Sequence, residues 1–585
     1  MTKRFLASAF FTALLSGLTM VPASAATINV NTLANELNND GDCSLREAVS
    51  AANNNIVVDA CVAGSAAVTD NIRIFLAGGI EARAIAITES VRITGLSGGF
   101  LTLNGGGADR IFRVNIDHGT QVFELFDITM RGGRGAMGGA VLIERARRSR
   151  FNNVVFNDNI TSSANGSGGA IHVATMPESD ASLEVTACTF TDNVALVSGG
   201  AINTKISQAG LFGVRTIQIR ESRFADNLAA GFGGAVAVGR PDVALVERSQ
   251  FERNRAQANA GGFDAGLGGA LFLDGLIGGT SLFTVSQTSF IENEAVRGAG
   301  AILIYAGATS VVNSTFSGNF SESVADAHAI SAQDGAVLAI AYSTFINNGQ
   351  GSSDDKLIRI IVGSTASLRN SIFWADWEHM DDCIASGGSS FTSLGGNIDA
   401  TGTCTSHGSD RPMTNPLLLP LSSYGDDTAA LSMLTHLPSP LSPAIDIFQT
   451  GSCPGPLGSV VSIDQRGDTK PVVGPVGGQN RCDAGAVEYQ TGMEPEAYRL
   501  QVVVVGNGSV TSGDGIDCPG NCAEAYLAGA SVTLTASAEA GFTFTGWSGD
   551  CPAGTGNCTL AITGNRDVVA TFAADDRIFA DGFEP

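Results

Sequence analysis

The densest cluster of chemically able side chains lies at residues 374–383, where Trp374, Asp376, Trp377, Glu378, His379, Asp381, Asp382 and Cys383 fall within ten positions. Two of the three tryptophans of the 585-residue chain sit here with four carboxylates. Indole rings offer flat apolar faces to a sugar, and carboxylates accept bonds from hydroxyls or hold Ca²⁺ through oxygen. Trp374, Asp376, Trp377, Glu378, Asp381 and Asp382 are therefore the candidate glycan-binding set. Ca²⁺ is the one cation considered, and no organic cofactor is expected. A polar loop leaving a coil, pinned by a Cys383–Cys404 bridge, would carry the same letters. A glycosidase needs two facing carboxylates, and a lyase needs a cation site with a base. No unambiguous set of either kind stands in the sequence, so no catalytic residue is assigned. Asp40-Gly41-Asp42 could touch a cation but lacks the spaced ligands of a binding loop.

The elements that would position this cluster come from a repeat. An apolar residue, a small or polar one and Phe recur, followed three residues after the Phe by Asn, then a turn, then Gly-Gly-Ala and an apolar residue. The rings are Phe156, Phe190, Phe224, Phe251, Phe290, Phe316, Phe345 and Phe373, spaced 26 to 39 residues apart. The amides are Asn159, Asn193, Asn227, Asn254, Asn293, Asn319 and Asn348. Gly168-Gly169-Ala170, Gly199-Gly200-Ala201, Gly233-Gly234-Ala235 and Gly268-Gly269-Ala270 follow, with a weaker copy at Ala299-Gly300-Ala301. Such a period marks a solenoid. Glycine and β-branched residues in every unit, with alternating runs such as Leu183–Thr186, Thr216–Ile219 and Phe283–Val285, exclude helical repeats. The expected fold is all-β: a right-handed, single-stranded parallel β-helix of the pectin lyase-like kind. Stacked coils would align the Phe residues in a core column. The Asn side chains would tolerate the left-handed turn and bond from coil to coil. Asp326-Ala327-His328-Ala329 stands where Gly-Gly-Ala is due, and His172 follows a Gly-Gly-Ala-Ile unit. Both histidines are expected at turns or on the surface, with no catalytic partner to name.

Composition limits what such a solenoid can meet. Lys3 and Arg4, the apolar run Phe5–Met20 and Ala23-Ser24-Ala25 read as a signal peptide cleaved after Ala25. Losing Lys3 and Arg4 moves the net charge from −24 to −26. That excludes nucleic acid and an anionic membrane as partners, and no later stretch is apolar enough to span a bilayer as a helix. The eleven cysteines all follow the signal segment, which suits disulfides. Proximity pairs Cys43 with Cys61, Cys383 with Cys404, Cys453 with Cys482, Cys518 with Cys522 and Cys551 with Cys558, although the last four could pair otherwise. Cys188, inside a strand-like run, is left as a buried thiol.

The repeat over roughly residues 150–350 resembles that of the polymorphic outer-membrane proteins, with their Phe-x-x-Asn and Gly-Gly-Ala-Ile elements. The resemblance implies a surface adhesin, though no segment after 490 is long enough for the membrane barrel those proteins carry. Residues 26–66 hold Cys43-Ser44-Leu45-Arg46-Glu47-Ala48 and resemble the CSLREA domain. Ser44 and Glu47 spell a capping box, so a helix starts at Leu45, with Leu45, Ala48, Val49 and Ala52 as its apolar face and the open end of the solenoid beneath it. Residues 411–490, with Asn415-Pro416-Leu417, Ser442-Pro443-Ala444-Ile445-Asp446, Asp464-Gln465-Arg466-Gly467 and Cys482-Asp483-Ala484-Gly485, resemble the choice-of-anchor Q region. They read as the C-terminal cap, with Arg466 paired to a carboxylate such as Asp464 or Asp483. Residues 498–573 alternate as strands around Trp547 and resemble the divergent B-repeat of internalin-like surface proteins, with Trp547 expected in its core.

The expected organisation is a signal peptide (1–25), an N-terminal cap (26–66), a β-helix (67–410), a closing segment (411–490), a linker (491–497), a small β-rich module (498–573) and an acidic tail (574–585). The functional expectation is an exported, non-catalytic protein, secreted or on the surface of a Gram-negative cell. It would adhere to a cell-surface glycan or protein. A polysaccharide lyase or glycoside hydrolase and a structural envelope component are the alternatives.

Overall fold

The computed structural model describes residues 24–66, 68–117, 120–174, 181–204, 215–258, 266–349, 356–374, 381–424, 431–473, 480–490 and 495–575. Nearly all of the signal segment, most of the tail, and Asp376, Trp377, Glu378 and His379 lie outside the described residues.

One coil shows how the sequence dictates the fold. Thr216–Arg220 alternates, so Ile217 and Ile219 face inward while Thr216, Gln218 and Arg220 face out. Glu221 takes φ 50°, turning the chain into Arg223–Ala225, which carries Phe224 inward. Asp226 at φ 56° turns it again, into Leu228–Ala229. Gly233 at φ 61° then bends the chain into Val236–Gly239, and the path crosses to the next coil at Val243. Repetition stacks these four strands into parallel sheets of 13, 13, 7 and 11 strands around one core. This is a right-handed parallel β-helix. Strands pair about 4.8 Å apart, and the eight column rings follow that spacing, with centroids 4.5–5.2 Å apart and planes within 23°.

The seven asparagines form a continuous ladder, each nearly or fully buried. Each Nδ2 donates to the next Asn Oδ1 at 2.8–2.9 Å, from Asn159 through to Asn348. The left-handed turn falls one residue earlier than the sequence reading placed it. Asp158, Asp192, Asp226, Arg253, Glu292 and Asn347 carry the positive φ, which frees each Asn to point inward. A second ladder was not read from the sequence. Ser222, Ser314 and Ser343 hydroxyls accept from the backbone N–H two residues before the column Phe of the preceding coil. Cys188 occupies this same position in its own coil and points its thiol at the Thr186 carbonyl, 3.3 Å away.

The helix Leu45–Asn54 begins at Ser44 with both halves of the capping box formed. Leu45, Ala48, Val49 and Ala52 are at most 3 % exposed and share the solenoid's core, so the helix lids the N-terminal end.

Of residues 411–490, Arg411–Pro412 add the last rung of the second sheet beyond Ile398–Asp399, and most of the other described residues take another course. They fold back along the flank. Gln465 bonds Ser289 and Thr315, Leu434 accepts from Ser289, His436 meets Ser317, and Ala486 N–H donates to Thr344. The outward positions of the second sheet explain this route. They run Thr191, Ala225, Glu252, Ile291 and Ser317 in earlier coils but Ile346 and Trp374 later, with Ile372 on the same side. An outward apolar row needs a cover, and Leu418, Ala444, Ile447 and Ala484 supply it.

The C-terminal module is two four-stranded sheets. Trp547 is 4 % exposed in its core, with its indole N–H donated to the Gly556 carbonyl. All five expected disulfides are present, and Cys188 is free and buried.

Candidate functional site

Of the candidate glycan set, Trp374, Asp381 and Asp382 are described. Trp374 ends the strand Ile372–Trp374, and the closing segment seals it at 6 % exposure among Ile346, Ile398, Leu418 and Ala444. Its ring face is an interface contact and is not offered to a sugar. That is a correction to the reading of Trp374 as a platform, and its cause is the flank-covering segment. Asp381 is half-buried and opens the next strand's approach.

Asp382 is 1 % exposed. Its partner is Asp399, which pairs with Phe373 in the sheet and so takes the place of a ring at the end of the aromatic column. The apolar core stops here, and its last inward position is a carboxylate. Asp399 accepts from Thr401 N–H at 3.2 Å and Cys404 N–H at 2.7 Å, and Asp382 accepts from the Thr401 hydroxyl at 3.1 Å. Burial first, and Asp399 second, push the Asp382 carboxyl well above the usual range. The Asp382 carboxyl lies beside the Cys383–Cys404 bridge. Buried from solvent, this pair can close the end of the solenoid but cannot reach a polymer as general acid.

The other titratable clusters are also structural in geometry. Arg466, expected to find a carboxylate, pairs with Asp464 at 3.0 Å, both nearly buried. Lys470 pairs with Glu488 at 3.4 Å with neither side chain exposed, and its ammonium lies 4.2 Å from the Tyr342 ring centre. Burial raises Asp464, Asp483 and Glu488, opposed at Asp464 mainly by Arg466 and at Glu488 mainly by Lys470. These ion pairs fasten the closing segment to itself and to the flank.

His172 and His328 are buried at 8 % and 1 % exposure and not on the surface; His172 lies inside the strand Ile171–Val173, and His328 lies at a bend, as expected. His172 shares a 3.1 Å bond with Asn203, and burial lowers it to about 4. The His328 ring stacks on Phe320. Sequence spacing alone does not separate the inward and outward sides of a two- or three-residue strand.

For cations, the ligand oxygens of Glu36, Asp40 and Asp42 lie within 4.8 Å of one another, as do those of Asp42, Glu47 and Asp59. Glu47 is already committed to the Ser44 and Asn38 N–H groups. Of the remaining carboxylates on the N-terminal cap, Asp40 is exposed and Glu36, Asp42 and Asp59 are half-buried.

The fold and these sites define a closed, disulfide-pinned solenoid with a flank strap and an appended β module. Two family matches follow that division. Residues 498–576 match the divergent InlB B-repeat domain. Residues 187–205 match the Chlamydia polymorphic membrane protein repeat. The second span holds Phe190, Asn193 and Gly199-Gly200-Ala201, the structural letters of one coil. The chain has no match among curated proteins or solved structures. Among the described residues, no helix is long and apolar enough to cross a membrane.

Proposed function

We propose that this is an exported, non-catalytic surface or secreted protein of a Gram-negative envelope. Its solenoid holds a cell-surface glycan or protein on its outer strand faces. The observation that carries the reading is the joining in one chain of a polymorphic-membrane-protein-type coil and an InlB-type module, two repeats of surface-protein families. Five disulfides fit folding in an oxidising compartment, and the signal-like first residues fit export. The N-terminal cap is assigned to the CSLREA type and the flank strap to the choice-of-anchor Q type. The candidate residues Asp376, Trp377, Glu378 and Asp381 remain assigned to glycan contact.

The test uses the mature chain with its disulfides intact, on glycan arrays and on intact cells, with fractionation of the producing cell. Saturable binding, and recovery from the surface or the medium, support the proposal. Confinement to the cytoplasm, or no binding to any glycan or cell, refutes it.

A further inference from the structure

We propose that Lys470 and Glu488 condense to an amide, so that the flank strap is closed by a cross-link between side chains as well as by its disulfide. Neither side chain meets solvent, and the lysine nitrogen stands 3.4 Å from Glu488 Oε2.

The local fold holds both groups in place. Val472–Val473 pairs antiparallel with Asn480–Cys482, with Val472 opposite Arg481, and the Cys453–Cys482 bridge pins the second strand. Lys470 leads into the first strand, and Asp483 follows the second. Two backbone N–H groups from these segments grip the glutamate. Val472 donates to Oε1 at 2.9 Å and Asp483 to Oε2 at 3.1 Å. The Tyr342 ring, itself fully buried, has its centre 4.2 Å from the lysine nitrogen. The nitrogen's other hydrogen-bond partner among the described residues is the Gly485 carbonyl oxygen at 3.5 Å. A charge-assisted bond spans about 2.7–2.9 Å, so attack on the carboxyl carbon gives up no strong contact.

The step balances without a co-reactant. The ammonium passes one proton to Oε2, and the freed amine attacks Cδ to form the C–N bond. Negative charge gathers on Oε1, where the Val472 N–H acts as an oxyanion-hole donor. The Cδ–Oε2 bond then breaks, and Oε2 leaves as water with a second proton from the nitrogen. Burial raises the Glu488 carboxyl against the opposing effect of Lys470, which favours the proton transfer that starts the sequence. A buried ion pair bears the cost of two desolvated charges, and the amide carries none, so burial also drives the condensation. Two reacting groups fixed in one geometry need no encounter.

The test weighs the mature chain by mass spectrometry, folded with its disulfides and then denatured and fully reduced. Wild type is expected to be lighter than its sequence by one water, and Lys470→Arg and Glu488→Ala to show full sequence mass. Trypsin cuts after Arg481, between the two residues. Segments 467–481 and 482–499 are therefore expected to be joined in wild type and separate in both variants. A wild-type chain at full mass, or with these segments separate after reduction, overturns the cross-link. So does a missing water that persists in Lys470→Arg, a variant that keeps the positive charge of the pair.

Discussion

Replacing Asn227 by Ala removes one rung from the middle of the amide ladder. The side chain donates to the Asn254 Oδ1 at 2.9 Å and to the Phe190 carbonyl at 3.0 Å. It accepts from the Asn193 backbone N–H at 3.1 Å and from the Asn193 amide at 2.9 Å. Four bonds are lost at a residue with 0 % exposure, where no water can replace them. At about 1 kcal/mol net for each of the two donated bonds, and about 1–3 kcal/mol for each of the two buried Asn193 donors left unsatisfied, the loss comes to roughly 4–8 kcal/mol. The control is Asn157→Ala, on the outward side of its own coil. There the amide reaches the Thr191 hydroxyl at 3.0 Å in a half-buried setting, and removing it costs under about 1 kcal/mol. Guanidinium unfolding of the two variants, with hydrogen exchange over residues 190–254, reads the difference. The coils flanking Asn227 should lose protection first, since a solenoid's stability is carried by its nearest-neighbour interfaces. If the two variants unfold within about 1 kcal/mol of each other, the ladder is not the structural element argued here.

The raised carboxyl of buried Asp382 makes stability depend on pH. The folded state keeps a proton that the unfolded chain releases above about 3.9, so stability should fall as pH rises from there through the raised folded value. Asp382→Asn has no such proton to lose and should flatten the slope in thermal melts above about pH 4; an unchanged slope refutes the raised carboxyl. A Cβ on Gly200 would collide with the Gly234 carbonyl oxygen, so Gly200→Ala should cost about 1–3 kcal/mol. Gly513→Ala meets nothing within 4 Å and should be neutral or slightly stabilising in the same denaturation assay. Trp374→Ala should loosen the flank strap by about 3–5 kcal/mol and expose residues 431–473 to limited proteolysis. Cys188 is buried and pushed up to about 12, so it should resist thiol reagents in the native protein. Cys188→Ser places a hydroxyl where Ser222 and Ser249 already stand and should cost under about 1 kcal/mol by thermal melt.

Much of the architecture was legible because a solenoid repeats its reasons. Phe and Asn recur at fixed offset, so eight rings and seven amides announced their columns, and Ser44 with Glu47 announced the cap. What was not legible depends on long-range contact. The strap's path along the flank is set by Ile346, Ile372 and Trp374 facing outward. A three-residue strand gives too short an alternation to show which side is outward. Trp374 was therefore grouped with its acidic neighbours in sequence and not with the strap that covers it. Asp399 lies seventeen residues from Asp382 and on another sheet, so no local spacing joins the two acids. The glycine turn and the αL residues show a subtler limit. Asn favours left-handed backbone in general, but here the inward amide needs ordinary backbone, and its predecessor takes the turn.

A column whose rungs are interchangeable has no preferred length. Each Asn donates forward and accepts from behind, so an inserted or deleted coil leaves its neighbours with the same unmet valences, which then join each other. Pulled from one end, such a molecule should yield in a series of similar steps, one coil at a time. Lineages could lengthen or shorten the rod by whole coils, leaving the helix at one end and the paired acids at the other to mark where growth must stop.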